Sequence, residues 1–213
     1  MLRELIHLLK YHHVRPVAAV LGSWLAEVVA TRLAPEELDS LVVVAVPLHP
    51  AKRRQRGFNQ AELIAGAMMK RLRHPHRRSS VILRRRRQTE SQTGLTREQR
   101  ALNLRGAFAA ESRGEVDGRS FLLVDDVLTT GATVCECARV LRRGGAAGVW
   151  VATVARVLAP SQRRPEGPKM LNREAAVATF PPQQAKTGRA GGPFWRRGKG
   201  LKPAGGPLEP DLL

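Results

Sequence analysis

The sequence predicts an α/β fold with a doubly wound, mostly parallel sheet, and three observations carry that expectation. Two short, unbroken apolar runs, LVVVAV at 41–46 and FLLV at 121–124, have the character of parallel strands covered on both faces. Each is followed by a polar or small-residue segment and then by helical periodicity, through Leu63, Ile64, Ala67 and Met68 in one case and Val134, Ala138, Val140 and Leu141 in the other. Strand and helix therefore alternate, as they do in doubly wound domains.

The elements follow in order. Leu2, Leu5, Ile6 and Leu9 recur at helical spacing, and a second helical pattern runs through Val17, Val20, Leu21, Trp24, Leu25 and Val28 after Pro16. His12 and His13 fall in the break and read as solvated turn residues. The first strand ends at PLHP, and helical periodicity resumes around Asn59 and lasts to about Leu72. VILRR at 81–85 reads as a strand entering a polar segment and GAFAA at 106–110 as a strand leaving it. Some twenty polar residues lie between them, a length that inside a domain marks a functional or disordered loop. A helix over about 133–143 stops at Gly144-Gly145, and GVWVATVARV at 148–157 closes the sheet. Beyond Leu158 the composition changes, with nine of the 14 prolines at 160 or later and no lasting apolar periodicity. Residues 159–213 are expected to be a disordered basic tail, and 1–158 one domain, since 213 residues leave too little for a second core.

Charge bounds the partners. The count of 36 Lys and Arg against 18 Asp and Glu gives a net charge of +18, which attracts polyanions, either nucleic acid or phosphate-rich small molecules. About a third of that excess lies in the tail, with ten basic residues against four acids. The N-terminal segment interrupts its apolar pattern with Glu4 and Lys10 and has no stretch long enough to span a membrane, nor a signal-peptide pattern, so a cytoplasmic location is expected. The two cysteines, Cys135 and Cys137, would point to different sides of a helix and read as reduced, packed thiols.

FLLVDDVLTTGATV at 121–134 carries the chemistry. Asp125 and Asp126 follow the strand, where paired negative charge is tolerable only against solvent, a cation or a ligand's hydroxyls. Thr129, Thr130, Gly131, Ala132 and Thr133 make a small-residue turn into a helix start, whose backbone N–H groups suit a phosphate. Vicinal hydroxyls and a phosphate a few ångströms away describe a ribose 5-phosphate.

LLVDDVLTTGAT resembles the phosphoribosyl pyrophosphate (PRPP) motif of type I phosphoribosyltransferases. VVVAVPLHPAKRRQRGFNQAELIA and QTGLTREQRALNLRGAF narrow the resemblance to the ComF (ComF/GntX) family of phosphoribosyltransferase-like proteins associated with bacterial competence. The resemblance covers about Leu8 to Val157. It implies a type I phosphoribosyltransferase-like sheet in which residues 1–35 form a helical hood. Asp125 and Asp126 would contact the ribose hydroxyls, directly or through Mg²⁺, and the backbone of Thr129, Thr130, Gly131, Ala132 and Thr133 would cradle the 5-phosphate. The loop after the first strand would hold pyrophosphate through Lys52, Arg53, Arg54 and Arg56, although spacing leaves open which of them point inward, or whether the loop is simply a solvated basic turn. Asn59 and Gln60 read as helix caps or orienters.

Residues 86–105 correspond to the loop that closes over PRPP in type I enzymes, with Gln92, Thr93, Arg97, Arg100 and Asn103 at the matching polar positions and Arg97 and Arg100 as candidate catalytic groups. The alternatives are an inert loop and, for LRRRRQ, a nucleic-acid contact. Many ComF-like proteins carry an N-terminal zinc segment with Cys-x-x-Cys pairs; none occurs here, so no structural zinc is expected.

Two functions are compatible with these residues. One is transfer of the 5-phosphoribosyl group from PRPP to an acceptor that the sequence does not identify, with release of pyrophosphate. The other is a non-catalytic or vestigial PRPP-binding domain serving DNA uptake through protein or single-stranded DNA partners. Aromatic residues are only 4% of the chain and do not interleave with the basic ones, which speaks against a dedicated single-strand binder. A homodimer is left open.

Overall fold

Three parallel strands and one antiparallel strand form the main sheet, in the order β1 (Leu41–Ala45), β4 (Ser120–Leu128), β5 (Gly148–Arg156) and β6 (Ala176–Phe180). This computed structural model describes residues 1–73, 82–87, 97–111, 114–157 and 176–180; for Arg97, Glu98, Arg100, Ala101 and 176–180 it describes the backbone alone. The run FLLV is central, as its apolar character requires. In register, Val42 to Ala45 of β1 lie beside Phe121 to Val124 of β4, and Phe121 to Val124 lie beside Val149 to Ala152 of β5.

Alternation along the strands divides the core in two. Leu41, Val43, Leu122, Val124, Ala152 and Val154 pack on one face with helices α1 (Leu2–Tyr11), α2 (Val17–Ala30) and α5 (Gln60–Leu72). Val42, Val44, Phe121, Leu123, Val149 and Val151 pack on the other with α7 (Ala132–Arg143) and with β2 (Leu83–Arg85) and β3 (Phe108–Ala110). The runs Leu41–Ala45 and Phe121–Val124 are apolar throughout because both faces are covered there. That is the doubly wound arrangement the sequence implied.

Within the segment expected to form a hood, α2 is a core helix. Its Leu21, Leu25 and Val29 are fully buried, and Gly22 lets it lie directly against α5. A Cβ at Gly22 would stand 2.5 Å from Ala67 Cβ and 2.8 Å from Ile64 O. Val20, expected on the apolar face, is exposed because Ala18, Gly22 and Ala26 take the inner positions. A short helix not anticipated from sequence, α3 (Pro35–Ser40), leads into β1; Pro35 begins it and the Glu37 carboxylate accepts from Ala34 N–H.

Two segments expected as loops are partly helical. The basic stretch after β1 forms α4 (Pro50–Arg56): His49 Nδ1 accepts from Ala51 N–H, Pro50 supplies the fixed φ of a first turn, and Gly57 ends the helix at φ 71°. Within 86–105, residues Arg97–Leu104 form α6. The rest of that expected lid between 88 and 96, including Gln92 and Thr93, lies outside the described residues. β2 and β3, which flank it, pair antiparallel as a separate two-stranded sheet.

The expectation that β5 closes the sheet, and that the whole of 159–213 is disordered, is corrected at five residues. β6 pairs antiparallel along β5, Thr153 with Ala176 through Val149 with Phe180. AVATF is too short to announce itself among prolines and glycines, yet it gives the otherwise open edge of β5 backbone partners. The remainder of 159–213 lies outside the described residues. Among the described residues no helix is long and apolar enough to cross a membrane.

Candidate functional site

The site begins where β1 runs out. β1 accompanies β4 only as far as Val124, after which β4 continues to Leu128 beside β5 alone. Asp125 and Asp126 therefore lie within β4, not at its end as the sequence suggested, on the stretch that projects beyond β1. Each carboxylate is fixed by the chain that follows it: Asp125 Oδ1 accepts from Asp126 N–H at 2.9 Å, and Asp126 Oδ1 accepts from Val127 N–H at 2.7 Å.

Successive strand residues diverge, and the two aspartates meet different layers. Asp126 is nearly buried and pairs with Lys10 of α1, Nζ to Oδ2 at 2.7 Å. Asp125 shares its field with Arg85 of β2 and Cys137 of α7. Burial, and then the neighbouring charge of Asp126, push the Asp125 carboxyl up to about 8. Burial and the Asp125 charge likewise push the Cys137 thiol well up, so this cysteine is a packed thiol as expected. Thr153, the register partner of Asp125 on β5, is fully buried, and its hydroxyl has no hydrogen-bond partner among the described residues.

From Leu128 the chain turns through Thr129 and Thr130 into α7. Gly131 is the N-cap residue at φ 78°, a left-handed conformation that a side chain would strain. Gly131 has no side chain to cap α7; Ala132 N–H makes a long bond to Thr130 Oγ1 at 3.5 Å, and the first-turn amides point out of the helix end. Ala132, Thr133 and Thr130 are half-buried and Thr129 is exposed. The five residues expected to cradle a phosphate thus sit together at one helix start of 12 residues, close in the chain to the aspartates.

The cations come from three elements. Burial, then the charges of Arg85, Arg56 and Lys10, lower the pKa of Lys52, which places all four in one field. Burial lowers that of Arg85, against the pull of Cys137 and Asp125, and its guanidinium lies over the Phe108 ring, 5.4 Å from the centroid. Lys52 and Arg56 are thus the members of the basic segment that share the field of Lys10 and Arg85; Lys52 is exposed, and the Arg56 guanidinium lies over the Tyr11 ring, 5.8 Å from its centroid. Arg53 is turned away, paired with Glu62 at 2.9 Å, and Arg54 is exposed. Asn59 caps α5, its Oδ1 accepting from Ala61 N–H at 3.1 Å, while its Nδ2 donates to Val46 O at 3.0 Å and so ties α5 to the end of β1. Gln60 is buried, and its amide nitrogen has no partner among the described residues.

Arg97 and Arg100, the candidate catalytic groups of the lid, lie on α6, and only their backbone is described. Asn103 is half-buried on the same helix, and its carbonyl accepts from Arg87 at 2.7 Å. Sequence reading missed Lys10 and Arg85. Lys10 was visible as a charge interrupting an apolar pattern, and Arg85 as one arginine in LRRRRQ; neither pattern carries a signal for what it would meet.

Among the described residues no three His, Cys, Asp or Glu side chains gather as a metal cage. Two carboxylates still fit Mg²⁺, which keeps several waters and commonly binds through one or two carboxylates together with a ligand's phosphates.

The model of the phosphoribosyl transferase domain family matches residues 59–183, which takes in β4, α7, β5 and β6. DNA utilization protein YhgH of Escherichia coli K12 is 38% identical over 159 residues, 74% of this chain and 68% of that protein. Competence protein F of Haemophilus influenzae is 36% identical over 115 residues, 54% of this chain and 49% of that protein. Competence protein ComFC of Bacillus subtilis is 32% identical over 109 residues, covering 51% and 41%. Among solved structures, the glutamine PRPP amidotransferase of B. subtilis superposes with a TM-score of 0.41 at 22% identity over 64% of this chain and 25% of the enzyme. The parallel sheet with its β4–α7 turn and the sequence matches across it agree: the chain belongs to the phosphoribosyl transferase domain family and is a ComF-family phosphoribosyltransferase-like protein.

Proposed function

We propose that this protein binds PRPP at the β4–α7 turn and transfers its 5-phosphoribosyl group to an acceptor, releasing pyrophosphate. The observation that carries the proposal is the joining of two fixed carboxylates to a helix start through Gly131, with Lys10 and Arg85 beside the carboxylates and Lys52 and Arg56 in the field of those two cations.

In the reaction the bond from C1 to the pyrophosphate oxygen breaks with its electron pair leaving on pyrophosphate. The acceptor's lone pair forms the new bond to C1, and the acceptor loses a proton. Positive charge develops on the sugar, as in glycoside cleavage. Asp126 and Asp125 would orient the ribose through its hydroxyls, and the charge of Asp126 would lower the cost of the developing positive charge. Amides of the α7 first turn would hold the 5-phosphate. Lys52 and Arg56, with Arg85, would take the charge accumulating on the leaving pyrophosphate, for which guanidinium forks are suited. Asp125 and Asp126 are the residues that would hold Mg²⁺, directly or through water, and the ion would supply further neutralisation of the pyrophosphate. Arg97 and Arg100, on α6, are the proposed closing groups.

A second reading is favoured by the names of the relatives, which concern competence and DNA utilization, and by the net charge of +18. In it the chain binds PRPP without transferring it and acts through DNA or a protein partner. Incubation with PRPP, Mg²⁺ and a mixture of amines and nucleobases, followed by ³¹P NMR, separates the two. Pyrophosphate release that depends on an acceptor supports transfer. A chain that binds PRPP and releases none supports the second reading.

A further inference from the structure

The ion pair between Lys10 and Asp126 stands inside the site. Its side chains are 21% and 12% exposed, so it is not the solvent-screened surface pair that contributes little. Lys10 is held in place by packing: Ile6 and Leu9, one turn and one residue before it, are buried in the core shared with β1, β4 and β5. Both oxygens of Asp126 are engaged, Oδ2 by the ammonium at 2.7 Å and Oδ1 by Val127 N–H at 2.7 Å. Each oxygen of this carboxylate thus already carries one donor, and the donor on Oδ2 is itself a cation, which disfavours direct approach by a divalent ion. Lys10 also faces Lys52, so it borders the basic groups as well as the acidic ones.

We propose that Lys10 is a resident counter-ion at Asp126, standing where a divalent cation would bind, so that the protein binds PRPP without added metal. This rests on the PRPP reading above. An ammonium has three donors, so one can remain on Asp126 while another meets an anionic ligand. Magnesium would then strengthen binding by neutralising the pyrophosphate and would meet Asp126 through water.

The test is calorimetric titration of the full chain with PRPP, in EDTA and in Mg²⁺, for the wild type, Lys10→Met and Lys10→Arg. The wild type should bind in EDTA, and Lys10→Met should lose about tenfold or more there, the effect of one charge-assisted hydrogen bond, and recover most of it in Mg²⁺. Lys10→Arg should keep binding in EDTA, and it carries the comparison if Lys10→Met does not fold. With Mn²⁺ alone as the probe, followed by electron paramagnetic resonance, Lys10→Met should bind more tightly than the wild type. Wild-type binding that appears only with Mg²⁺ overturns the proposal and leaves the PRPP reading standing, as does an equal response of wild type and Lys10→Met to metal. Absence of PRPP binding under every condition overturns both.

Discussion

Asp125 holds a proton in the folded chain at pH values where an ordinary carboxylate has lost it, because burial and the charge of Asp126 penalise its ionised form. Its contribution to stability is complete below the ordinary carboxylate range and is lost as the pH rises through about 8. Asp125→Asn removes that titration and keeps an oxygen for Asp126 N–H. The ligand-free variant should melt at about the wild-type temperature near pH 4 and a few degrees above it at pH 8.5, as a stability difference of about 1 kcal/mol would give. Thermal melts across that range check this, and a gap that does not widen with pH would refute it. The basic segment permits a sharper contrast. Lys52→Ala and Arg56→Ala should each weaken PRPP by about tenfold or more, while Arg53→Ala, whose side chain is committed to Glu62, should change it by no more than about threefold. Titration calorimetry on the three variants decides. This distinction was not available from KRRQR, since it depends on how α4 is turned, whereas the turn into α7 was legible because the small-residue run TTGAT at 129–133 separates a strand from a helical pattern.

At the scale of elements, α7 is tied to the β3 side of the molecule by Glu136. Its carboxylate accepts from Gly106 N–H at 2.7 Å and pairs with Arg139, Nε to Oε2 at 2.7 Å. Burial opposes its ionisation, but these partners and Arg143 outweigh it and hold the carboxyl below its ordinary value. The stabilisation is therefore present above the ordinary carboxylate range and is lost as the pH falls through the depressed value. Glu136→Gln should cost about 1–2 kcal/mol at pH 7 and little in acid, as measured by urea unfolding at both pH values. On the other face, Gly22→Val would drive side-chain atoms into Ala67 and the α5 backbone, and should cost at least about 1–3 kcal/mol in the same measurement. β1, β4, β5, α5 and α7 were readable from local periodicity because each buries what its pattern exposes. α4 was not, since its seven residues bury nothing and its helix rests on His49, Pro50 and Gly57.

At the scale of the whole molecule, the sheet has four strands because a segment 19 residues beyond β5 returns to its edge. A chain ended after Val157 would leave β5 with an open edge, and should melt lower and aggregate more readily than one ended after the family match at residue 183. Light scattering during thermal melts compares the two. Lys10, Arg85 and β6 escaped sequence reading for one reason: each acquires its role from a partner distant in the chain, Asp126, Asp125 and β5. The motif at 121–134 did not, since strand, carboxylates, turn and helix start are contiguous there. Its role as a ribose-phosphate site is the central claim, and calorimetric titration of the full chain with PRPP and Mg²⁺, for the wild type and for Asp125→Asn/Asp126→Asn, tests it most directly. The expected result is saturable binding by the wild type that the double variant lacks; no binding by the wild type, or equal binding by both, would contradict it.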